Sequence, residues 1–392
     1  MHIFFSVGEP SGDAHAAKLI EEIRRRDPQS RFSGYGGPQM ADAGCELQFE
    51  LTTMAVMGIV AVLPLLLKFY RLVKQAEVLL KEQRPDLVVL VDFPGFNWWI
   101  ARKAKRLGIP VVFYMPPQLW AWASWRIHRV RKFVDYVLSP LEFETRWYCD
   151  RGVDAECVGH PFFDEVAQHK LNADFMREQA ERGGTVIGVL PGSRNQEVQR
   201  NWPIQLATIR RVHQRCPTTR FLVACYSQQH VAWCRELLTD ETEDLPIELC
   251  VQRTPEVIEA ADACLMVSGS VSLEVLARHT PAVVMYVMSK TLHRLGSWLI
   301  RCTYITLANL IAGRELMPEF IIFGDPKPDI ERMAGILEEW VHNPDSRLQR
   351  AEELSSIAAA AAQPGATARA ADAIFRRFSA IENSKTSERR AA

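Results

Sequence analysis

Short runs of β-branched and aromatic residues alternate with longer stretches of helical periodicity along most of this chain. Such alternation is typical of βαβ units, in which a parallel sheet is buried between layers of helices. The predicted strands span residues 3–7, 87–91, 111–114 and 136–138 in the first half, and 186–190, 221–224, 247–251, 264–267 and 282–287 in the second. The sequence therefore predicts an α/β protein with two Rossmann-like halves and a cleft between them.

The length of the chain agrees with this division, because 392 residues with 48% apolar side chains can bury two separate cores. We expect an N-terminal domain over residues 1–170 and a second domain over 185–345. C-terminal helices would span 346–380, followed by a disordered tail over 381–392. The polar segment 172–184, which ends in two glycines, is predicted to link the two domains.

Composition disfavours several classes of protein. The formal net charge of −1 gives no overall reason to expect binding to nucleic acid. Nine cysteines without CxxC spacing favour reduced thiols, and the ten histidines lack the HxxxH or HExxH spacing of a metal site. We expect no signal peptide, because the first residues already read as a strand. No uncharged apolar run reaches about 18 residues, so a soluble or peripheral protein is predicted.

Two glycine-containing turns in the second half each follow a predicted strand and precede a predicted helix. They are Leu190-Pro-Gly-Ser-Arg194 and Ser268-Gly-Ser-Val-Ser-Leu-Glu274. Backbone N–H groups and the positive end of a helix favour a phosphate at such a turn, while Arg194 suits a diphosphate and Glu274 suits ribose hydroxyls. Each motif alone is compatible with an ordinary βα turn, but together they predict a nucleotide-diphosphate pocket. Its candidate residues are Gly192, Ser193, Arg194, Ser268, Gly269, Ser270 and Glu274.

The first half has a comparable turn, Gly8-Glu-Pro-Ser-Gly-Asp13, after its first strand. A glycine-rich first βα turn lies at the mouth of a doubly wound sheet, where ligands bind. Ser11, Gly12 and Asp13 are therefore candidates for substrate contact, although Ser11 or Asp13 could equally cap the following helix. The turn does not read GxGxxG, and no acidic residue ends a second strand at the usual distance, which disfavours NAD.

Asp92 follows the apolar strand 87–91 and is expected at the carboxyl end of the sheet, facing the cleft. Apolar surroundings raise the pKa of a carboxyl group, which suits a general base. The alternative is an aspartate that caps a helix or shapes a turn. Asp92 is the main candidate for a catalytic residue.

A proline- and tryptophan-rich loop, 114–122, follows the next strand and precedes a basic segment that includes Arg126. This combination predicts binding of a phosphate-bearing or anionic amphiphile, and a solvated basic helix over a tryptophan-rich core is the alternative. His160, in Gly159-His-Pro161, is either a buried structural donor or a catalyst, and the structural role is commoner for a lone histidine.

Two stretches combine apolar and basic faces, as interfacial membrane helices do. They cover residues 54–74 and 290–301. Buried core helices are the alternative. The residues expected to contact membrane or acyl chains are Met57, Ile59, Val60, Leu63, Leu295 and Trp298.

Taken in order, these motifs resemble the lipid-A-disaccharide synthase family of inverting glycosyltransferases, which have the GT-B fold. The resemblance covers nearly the whole chain and includes Asp92 with Phe96-Asn97. Its other motifs are Gly8-Glu-Pro-Ser-Gly-Asp13, Gly36-Gly-Pro-Gln-Met40, Ala55-Val-Met-Gly-Ile-Val60, Gln118-Leu-Trp-Ala-Trp122 with Arg126, Gly159-His-Pro161, Leu190-Pro-Gly-Ser-Arg194, Ser268-Gly269 with Leu273-Glu274, Tyr304-Ile-Thr-Leu307, Asn309-Leu-Ile-Ala-Gly313 and Glu319.

The resemblance implies a hexosyltransferase of lipid A biosynthesis. Such an enzyme moves 2,3-diacylglucosamine from UDP to the 6-hydroxyl of 2,3-diacylglucosamine 1-phosphate (lipid X), forms a β-1,6 bond and releases UDP. It implies two parallel-sheet domains facing a central cleft, with the acceptor held by the first domain and the UDP-sugar by the second. The work would occur at the cytoplasmic face of the inner membrane, on an anionic lipid surface. No cofactor or metal is expected, and a homodimer is compatible with the family.

The same resemblance assigns roles to individual residues. Asp92 would deprotonate the acceptor hydroxyl, and Asn309 and Glu319 would join the UDP-sugar site of the second domain. The donor and acceptor loops of the first domain would include Ser11, Gly12, Asp13, Asn97, Gln118, Trp120, Arg126 and His160.

The chain also departs from the family pattern. Gly95 stands where the family usually has a second aspartate, which leaves Asp92 as the main candidate base. Most of the other departures lie in the acceptor half, so the donor is more firmly implied than the acceptor; they are Ala61, Pro116, Ala123, Ser270-Val271 and Ala308. Three alternatives stay open: a muramyl-lipid N-acetylglucosaminyltransferase, a UDP-N-acetylglucosamine 2-epimerase, and a catalytically silent relative that binds lipid or nucleotide.

Overall fold

The computed structural model describes residues 1–54, 65–238, 244–288 and 303–391, with side chains up to residue 378. The chain forms two compact units, one of Met1–Asp164 together with Pro364–Ala392, the other of Glu165–Gln363. Within the described ranges, no helix is both long and apolar enough to cross a membrane.

The first unit is built on a seven-stranded parallel sheet with the order β3-β2-β1-β4-β5-β6-β7. Its strands are β1 (His2–Val7), β2 (Arg31–Gly36), β3 (Glu46–Glu50), β4 (Leu87–Val91), β5 (Val111–Tyr114), β6 (Tyr136–Ser139) and β7 (Ala155–Cys157). Its helices are α1 (Pro10–Arg26), α2 (Pro38–Asp42), α3 (Leu66–Gln83), α4 (Pro94–Arg106), α5 (Ile127–Phe133), α6 (Glu142–Cys149) and α7 (Pro161–Gln168), the last of which carries the chain into the second unit.

The second unit is built on a six-stranded parallel sheet with the order β10-β9-β8-β11-β12-β13. Its strands are β8 (Val186–Leu190), β9 (Arg220–Cys225), β10 (Ile247–Val251), β11 (Ala263–Val267), β12 (Ala282–Val287) and β13 (Glu319–Ile322). Its helices are α8 (Ala173–Arg182), α9 (Asn195–Arg215), α10 (Gln228–Glu236), α11 (Thr254–Ala260), α12 (Val271–Ala277), α13 (Leu307–Ala312), α14 (Lys327–His342) and α15 (Pro344–Ala361). The closing helix, α16 (Ala366–Ala391), belongs to the first unit.

Each sheet is buried on both faces. In the first unit, Ile20 of α1 and Ile374 of α16 lie in the core on one face, while Leu72 of α3 and Ile100 of α4 lie in the core on the other. A strand that is covered on both sides has no polar face, so its sequence is a continuous apolar run. This two-sided burial explains why nine strands could be predicted from apolar runs, and the structure confirms all nine.

Four strands were missed, and each has a physical reason. β3, β7 and β13 lie at sheet edges, where half-exposed side chains replace the apolar run. β2 is internal but contains Gly34, whose φ is +145°. A Cβ at this position would lie 2.0 Å from the carbonyl oxygen of Phe5 in β1. The glycine that looks like a strand breaker is therefore what lets β1 and β2 pair closely.

The predicted interdomain link over residues 172–184 is wrong, because most of it forms helix α8. The Asn172 side chain caps this helix by accepting a hydrogen bond of 2.9 Å from the N–H of Phe175. Arg220 of β9 donates to the Gln179 side chain at 2.7 Å and so ties the helix to the second sheet. The segment is polar because its outer face is solvated.

The C-terminal residues form two helices that are interrupted at Gln363-Pro364-Gly365. The backbone of α16 continues to Ala391, through the stretch that the sequence predicts to be disordered. Neither glycine nor proline occurs within this helix, so the backbone has no local reason to leave the helical conformation.

Asp164 fixes the start of α16. One carboxylate oxygen accepts hydrogen bonds from the N–H groups of Gly365 and Ala366, and the other accepts from the N–H and hydroxyl of Thr367. These N–H groups have no partner within the helix itself, and Asp164 is buried, so water cannot replace the carboxylate.

We expect Asp164→Ala to lower the free energy of unfolding by about 1–3 kcal/mol, because it leaves buried and half-buried donors without an acceptor. Asp372→Ala is the matched control: Asp372 lies on the same helix, is exposed and pairs with Arg26, so its loss should cost less than about 1 kcal/mol. Urea unfolding followed by circular dichroism measures both values. Equal stability of the two variants would contradict the role given to Asp164.

Candidate active site

Each sheet has a point at which the strand order reverses, between β1 and β4 in the first unit and between β8 and β11 in the second. Ligands of doubly wound sheets bind at the carboxyl ends of the strands that flank such a point. The motifs singled out in the sequence follow these four strands: residues 8–13 follow β1, Asp92 follows β4, residues 191–194 follow β8, and residues 268–270 follow β11.

Asp92 stands at the reversal point of the first sheet. Its φ of +48° and that of Phe93, +43°, place two successive residues in the left-handed region that side chains rarely adopt. Burial, together with the charge of Glu9, raises the pKa of the Asp92 carboxyl to about 7. Near neutral pH such a group is about half ionised, which suits a general base.

Asn97 of α4 holds this turn in place. Its amide nitrogen lies 2.7 Å from the carbonyl oxygen of Asp92, 3.2 Å from that of Val91 and 3.1 Å from that of Ser6. Its amide oxygen accepts from the Ser6 hydroxyl at 2.6 Å. Asn97 is fully buried, and both its amide nitrogen and its amide oxygen are hydrogen-bonded within the protein. The side chain therefore supports the Asp92 turn from the interior.

The first glycine turn lies directly against the Asp92 turn. A Cβ on Gly12 would lie 2.9 Å from Oδ2 of Asp92, and one on Gly8 would lie 2.2 Å from Cδ1 of Phe93. Glycine at both positions is therefore what allows the two turns to touch. Ser11, between them, is exposed.

The predicted capping role of Ser11 or Asp13 in α1 is wrong. The N-cap of α1 is Glu9, without a side-chain cap. Asp13 instead accepts from the N–H groups of Gly37, Gln39 and Met40 at 2.9–3.2 Å, at the start of α2. The buried carboxylate thus satisfies the helix that follows β2, a contact between distant parts of the chain that the sequence around residue 13 does not reveal.

The aromatic loop after β5 is attached to α6. Trp120 donates its indole N–H to Oε1 of Glu144 at 2.9 Å, and the Tyr148 hydroxyl donates to the carbonyl oxygen of Pro117 at 2.6 Å. Gln118 and Trp122 stay exposed. Sequence reasoning missed Glu144, although an acidic residue shortly after a strand end was the signal that identified Asp92.

Arg126 and His160 complete the predicted residues of the first unit. The Arg126 guanidinium lies 4.7 Å from the Trp122 ring centroid, and burial together with Arg129 lowers its pKa. The Nδ1 atom of His160 accepts from the N–H of Phe162 at 3.2 Å. Burial and the neighbouring His15, whose ring centroid is 6.0 Å away, lower the pKa of His160 to about 3, so it is neutral at physiological pH.

The turn after β8 packs against the end of β11. Gly192 has a φ of +118°, and a Cβ there would lie 2.9 Å from Glu197 and 3.5 Å from Val267, the last residue of β11. Ser193 and Arg194 are exposed. The Arg194 guanidinium donates to Oε1 of Glu197 at 2.8 Å, at the N-terminus of the long helix α9.

The turn after β11 exposes Gly269 and Ser270, while the Ser268 hydroxyl lies 3.4 Å from the carbonyl oxygen of Ile305. Glu274, one turn into α12, is buried. Burial raises the pKa of this carboxyl although Arg278 donates to it at 3.2 Å.

Asn309 and Glu319 are joined within the second unit. The Asn309 amide donates to Glu319 and to the carbonyl oxygen of Met317, both at 2.8 Å, and accepts from the N–H groups of Leu316 and Met317. Glu319 also accepts from the N–H groups of Ile305 and Thr306 at 2.7 and 2.8 Å. The structure thus places both side chains in an internal network that shapes the segment next to Ser268.

Several predicted contacts fall outside the described residues: Met57, Ile59, Val60, Leu63, Leu295 and Trp298, together with the departure Ala61. Helix α3 begins within the predicted membrane-binding stretch 54–74. Its first turns carry large exposed side chains at Leu66, Leu67 and Tyr70. Among the described residues, no group of three or more histidine, cysteine, aspartate or glutamate side chains could hold a metal ion.

Comparison with known proteins gives the fold and the family. Among solved structures, the UDP-N-acetylglucosamine 2-epimerase from Neisseria meningitidis superposes with a TM-score of 0.62 at 13% identity and covers 96% of this chain and 100% of its own. The glycosyltransferase of kitacinnamycin gives a TM-score of 0.59 at 19% identity, with 96% and 99% covered. At such low identities the likeness shows the fold alone, and it confirms the predicted GT-B class of two parallel-sheet α/β domains.

A family model described as lipid-A-disaccharide synthetase matches residues 3–362. The lipid-A-disaccharide synthase of Nitrosococcus oceani is 37% identical over 320 residues, which are 80% of this chain and 81% of the relative. That of Syntrophus aciditrophicus is 34% identical over 374 residues, 94% of this chain and 96% of the relative. The chain therefore belongs to the lipid-A-disaccharide synthetase family, glycosyltransferases of lipid A biosynthesis.

Proposed function

We propose that this chain transfers 2,3-diacylglucosamine from UDP to the 6-hydroxyl of 2,3-diacylglucosamine 1-phosphate, with Asp92 as the general base. One observation carries the proposal: a carboxyl group with a pKa of about 7 stands at the reversal point of the first sheet. Its turn is fixed from below by Asn97 and covered by the glycine turn of residues 8–13.

The reaction then needs one proton transfer and one displacement. Asp92 accepts the proton of the acceptor hydroxyl, whose oxygen attacks the anomeric carbon of the donor. The bond between that carbon and the diphosphate oxygen breaks, and UDP leaves with the electron pair, so the configuration at the anomeric carbon inverts. A base that is half ionised at neutral pH can accept this proton and still be regenerated by solvent.

The second unit would hold the donor. The N–H groups at the start of α9 and in the turn of residues 268–270 are suited to the diphosphate, and the exposed, forked guanidinium of Arg194 adds a positive charge. Glu274 would orient the ribose. Asn309 and Glu319 would act from below, by fixing the segment on which Ser268 rests.

The substrates carry acyl chains, so we also propose peripheral binding at the cytoplasmic face of the inner membrane. The start of α3 supports this, because Leu66, Leu67 and Tyr70 are 52%, 74% and 62% exposed and lie next to Lys68 and Lys74. An exposed apolar surface with flanking cations is what an anionic lipid surface attracts.

The proposed activity is tested by incubating the protein with UDP-2,3-diacylglucosamine and 2,3-diacylglucosamine 1-phosphate and analysing the products by mass spectrometry. We expect the disaccharide 1-phosphate and UDP in equal amounts. UDP binding without product would identify a silent relative. Conversion of UDP-N-acetylglucosamine to its 2-epimer without any lipid would identify an epimerase.

We expect Asp92→Asn to lower kcat by about 10²–10⁴-fold, since asparagine cannot accept the hydroxyl proton. Asparagine tolerates the left-handed backbone, so folding and UDP affinity should stay normal. In the wild type, kcat should rise with pH through about 7, because only the ionised carboxylate is active. The residual activity of Asp92→Asn should not show this rise. The exposed Asp150→Asn variant is the control. More than a tenth of wild-type turnover would make Asp92 structural.

Arg194→Ala should weaken UDP about ten- to hundred-fold, because a charge-assisted contact with a diphosphate contributes about 1.5–3 kcal/mol. The melting temperature without ligand should hardly change, since only an exposed ion pair with Glu197 is lost. Arg211→Ala, further along the same helix and paired with Glu331, is the matched control. Isothermal titration calorimetry measures the affinity of each variant for UDP. Identical binding by both variants would exclude Arg194 from the donor site.

The double variant Leu66→Ser/Leu67→Ser should bind phosphatidylglycerol vesicles at least about ten-fold more weakly than the wild type, because two exposed leucines no longer enter the lipid. Co-sedimentation with the vesicles measures this affinity. Leu348→Ser, at an exposed leucine of the second unit, should bind as the wild type does. Binding of the wild type should fall as salt is raised. Equal wild-type binding to phosphatidylcholine vesicles would contradict the anionic-surface proposal.

A further inference from the structure

A further buried carboxylate, besides Asp92 and Asp13, lies near the carboxyl edge of the first sheet. Glu144, in the first turns of α6, is 2% exposed. The general-base and donor-binding roles proposed above make no use of it. A buried carboxylate is costly unless its oxygens are bonded, so its partners indicate its role.

Both oxygens of Glu144 have protein partners, one in the loop after β5 and one at the end of β6. Oε1 accepts from the indole N–H of Trp120 at 2.9 Å, in the loop after β5, and Oε2 accepts from the hydroxyl of Ser139 at 2.7 Å, at the end of β6. A side chain whose oxygens are bonded in this way is suited to hold its neighbours in place.

Helix α6 holds the same loop at two further points. The ring of Phe143 meets that of Trp120 edge to face at 5.0 Å, and the Tyr148 hydroxyl donates to the carbonyl oxygen of Pro117. Glu144 supplies the charged bond in this set, and hydrogen bonds to charged groups are the stronger kind.

Glu144 is also coupled to the candidate base. Burial raises the pKa of Glu144 to about 7, and the charge of Asp92 contributes to the rise. The strands that precede these groups, β4, β5 and β6, are adjacent in the sheet. Asp92 follows β4 and Glu144 follows β6. The aromatic loop follows β5, the strand between these two.

We propose that Glu144 is a positioning residue for glycosyl transfer, which fixes Trp120 and with it the aromatic loop. The proposal rests on the function proposed above, in which Asp92 is the base and the first unit takes the acceptor. It names a specificity-determining element, because the fixed loop would line the site of the acylated acceptor.

The kinetic test compares Glu144→Gln with Glu142→Gln, an exposed residue on the same helix. Glutamine places an N–H₂ group opposite the N–H of Trp120 or the hydroxyl of Ser139, so one of these hydrogen bonds is lost and the loop loosens. We therefore expect the KM for the acceptor to rise about ten-fold while the affinity for UDP is unchanged. Glu142→Gln should match the wild type. An unchanged acceptor KM in Glu144→Gln would overturn the positioning role.

The pH profile separates coupling from packing. The charge of Glu9 acts on Asp92, and the charge of Asp92 acts on Glu144, with Tyr148 beside Glu144. Because the repulsion between two carboxylates is mutual, removing the Glu144 charge should lower the pKa of Asp92, and the rise of kcat with pH should move to lower pH. A purely structural role would leave its midpoint in place.

A readout independent of activity uses the indole N–H signal of Trp120 in protein labelled with ¹⁵N-tryptophan, assigned by its loss in Trp120→Phe. The signal should titrate near pH 7 and should stop titrating in Glu144→Gln. In Asp92→Asn its midpoint should move to lower pH, because a negative neighbour is gone, whereas Ser139→Ala should move it to higher pH.

These outcomes distinguish the two proposals. If the Trp120 signal titrates in Glu144→Gln as it does in the wild type, the inference fails even where Asp92→Asn is inactive. If Asp92→Asn stays active while the Trp120 titration still responds to it, the coupling stands and the general-base proposal fails.

Discussion

The buried amide of Asn97 is the interaction on which the first half of the site depends. Where the strand order reverses, the helices that follow β1 and β4 pack on opposite faces of the sheet. Asn97 bonds the carbonyl oxygens of Ser6 in β1, of Val91 at the end of β4 and of Asp92 after it, and so ties the two strand ends together. The same bonds hold Asp92 in its left-handed conformation, which costs about 1–3 kcal/mol and persists only when neighbouring groups enforce it.

The second unit also has buried side-chain amides at its reversal point, supplied by different residues. Gln205 of α9 is fully buried and its amide nitrogen lies 3.2 Å from the carbonyl oxygen of Leu190 in β8 and 3.4 Å from that of Leu265 in β11. Asn201 bonds the carbonyl oxygen of Pro191 at 3.2 Å. Buried amides therefore hold both reversal points, and in each unit the turn that follows is free to meet a ligand while its base stays rigid.

Sequence reasoning succeeded where a local pattern carries the physics. Apolar runs predicted nine strands, and the position of Asp92 after its strand placed it at the carboxyl end of the sheet. It failed where a side chain serves a distant part of the chain. Asp13 caps α2 instead of its own helix, and Glu144, which the sequence did not single out, holds Trp120 in the loop after β5. Such pairings depend on tertiary contacts, which one sequence without its fold does not contain.

The departure at Gly95 can be weighed on the same physical grounds. Among the described atoms, none lies within 4 Å of the position that a Cβ on Gly95 would take, so the family's aspartate would fit there without repacking. A second carboxylate three residues after Asp92 would add negative charge beside the base and raise its pKa further. Glycine omits that charge. Burial and Glu9 already bring the pKa of Asp92 to about 7, so Asp92, as the proposed base, would not need the second aspartate to work at neutral pH.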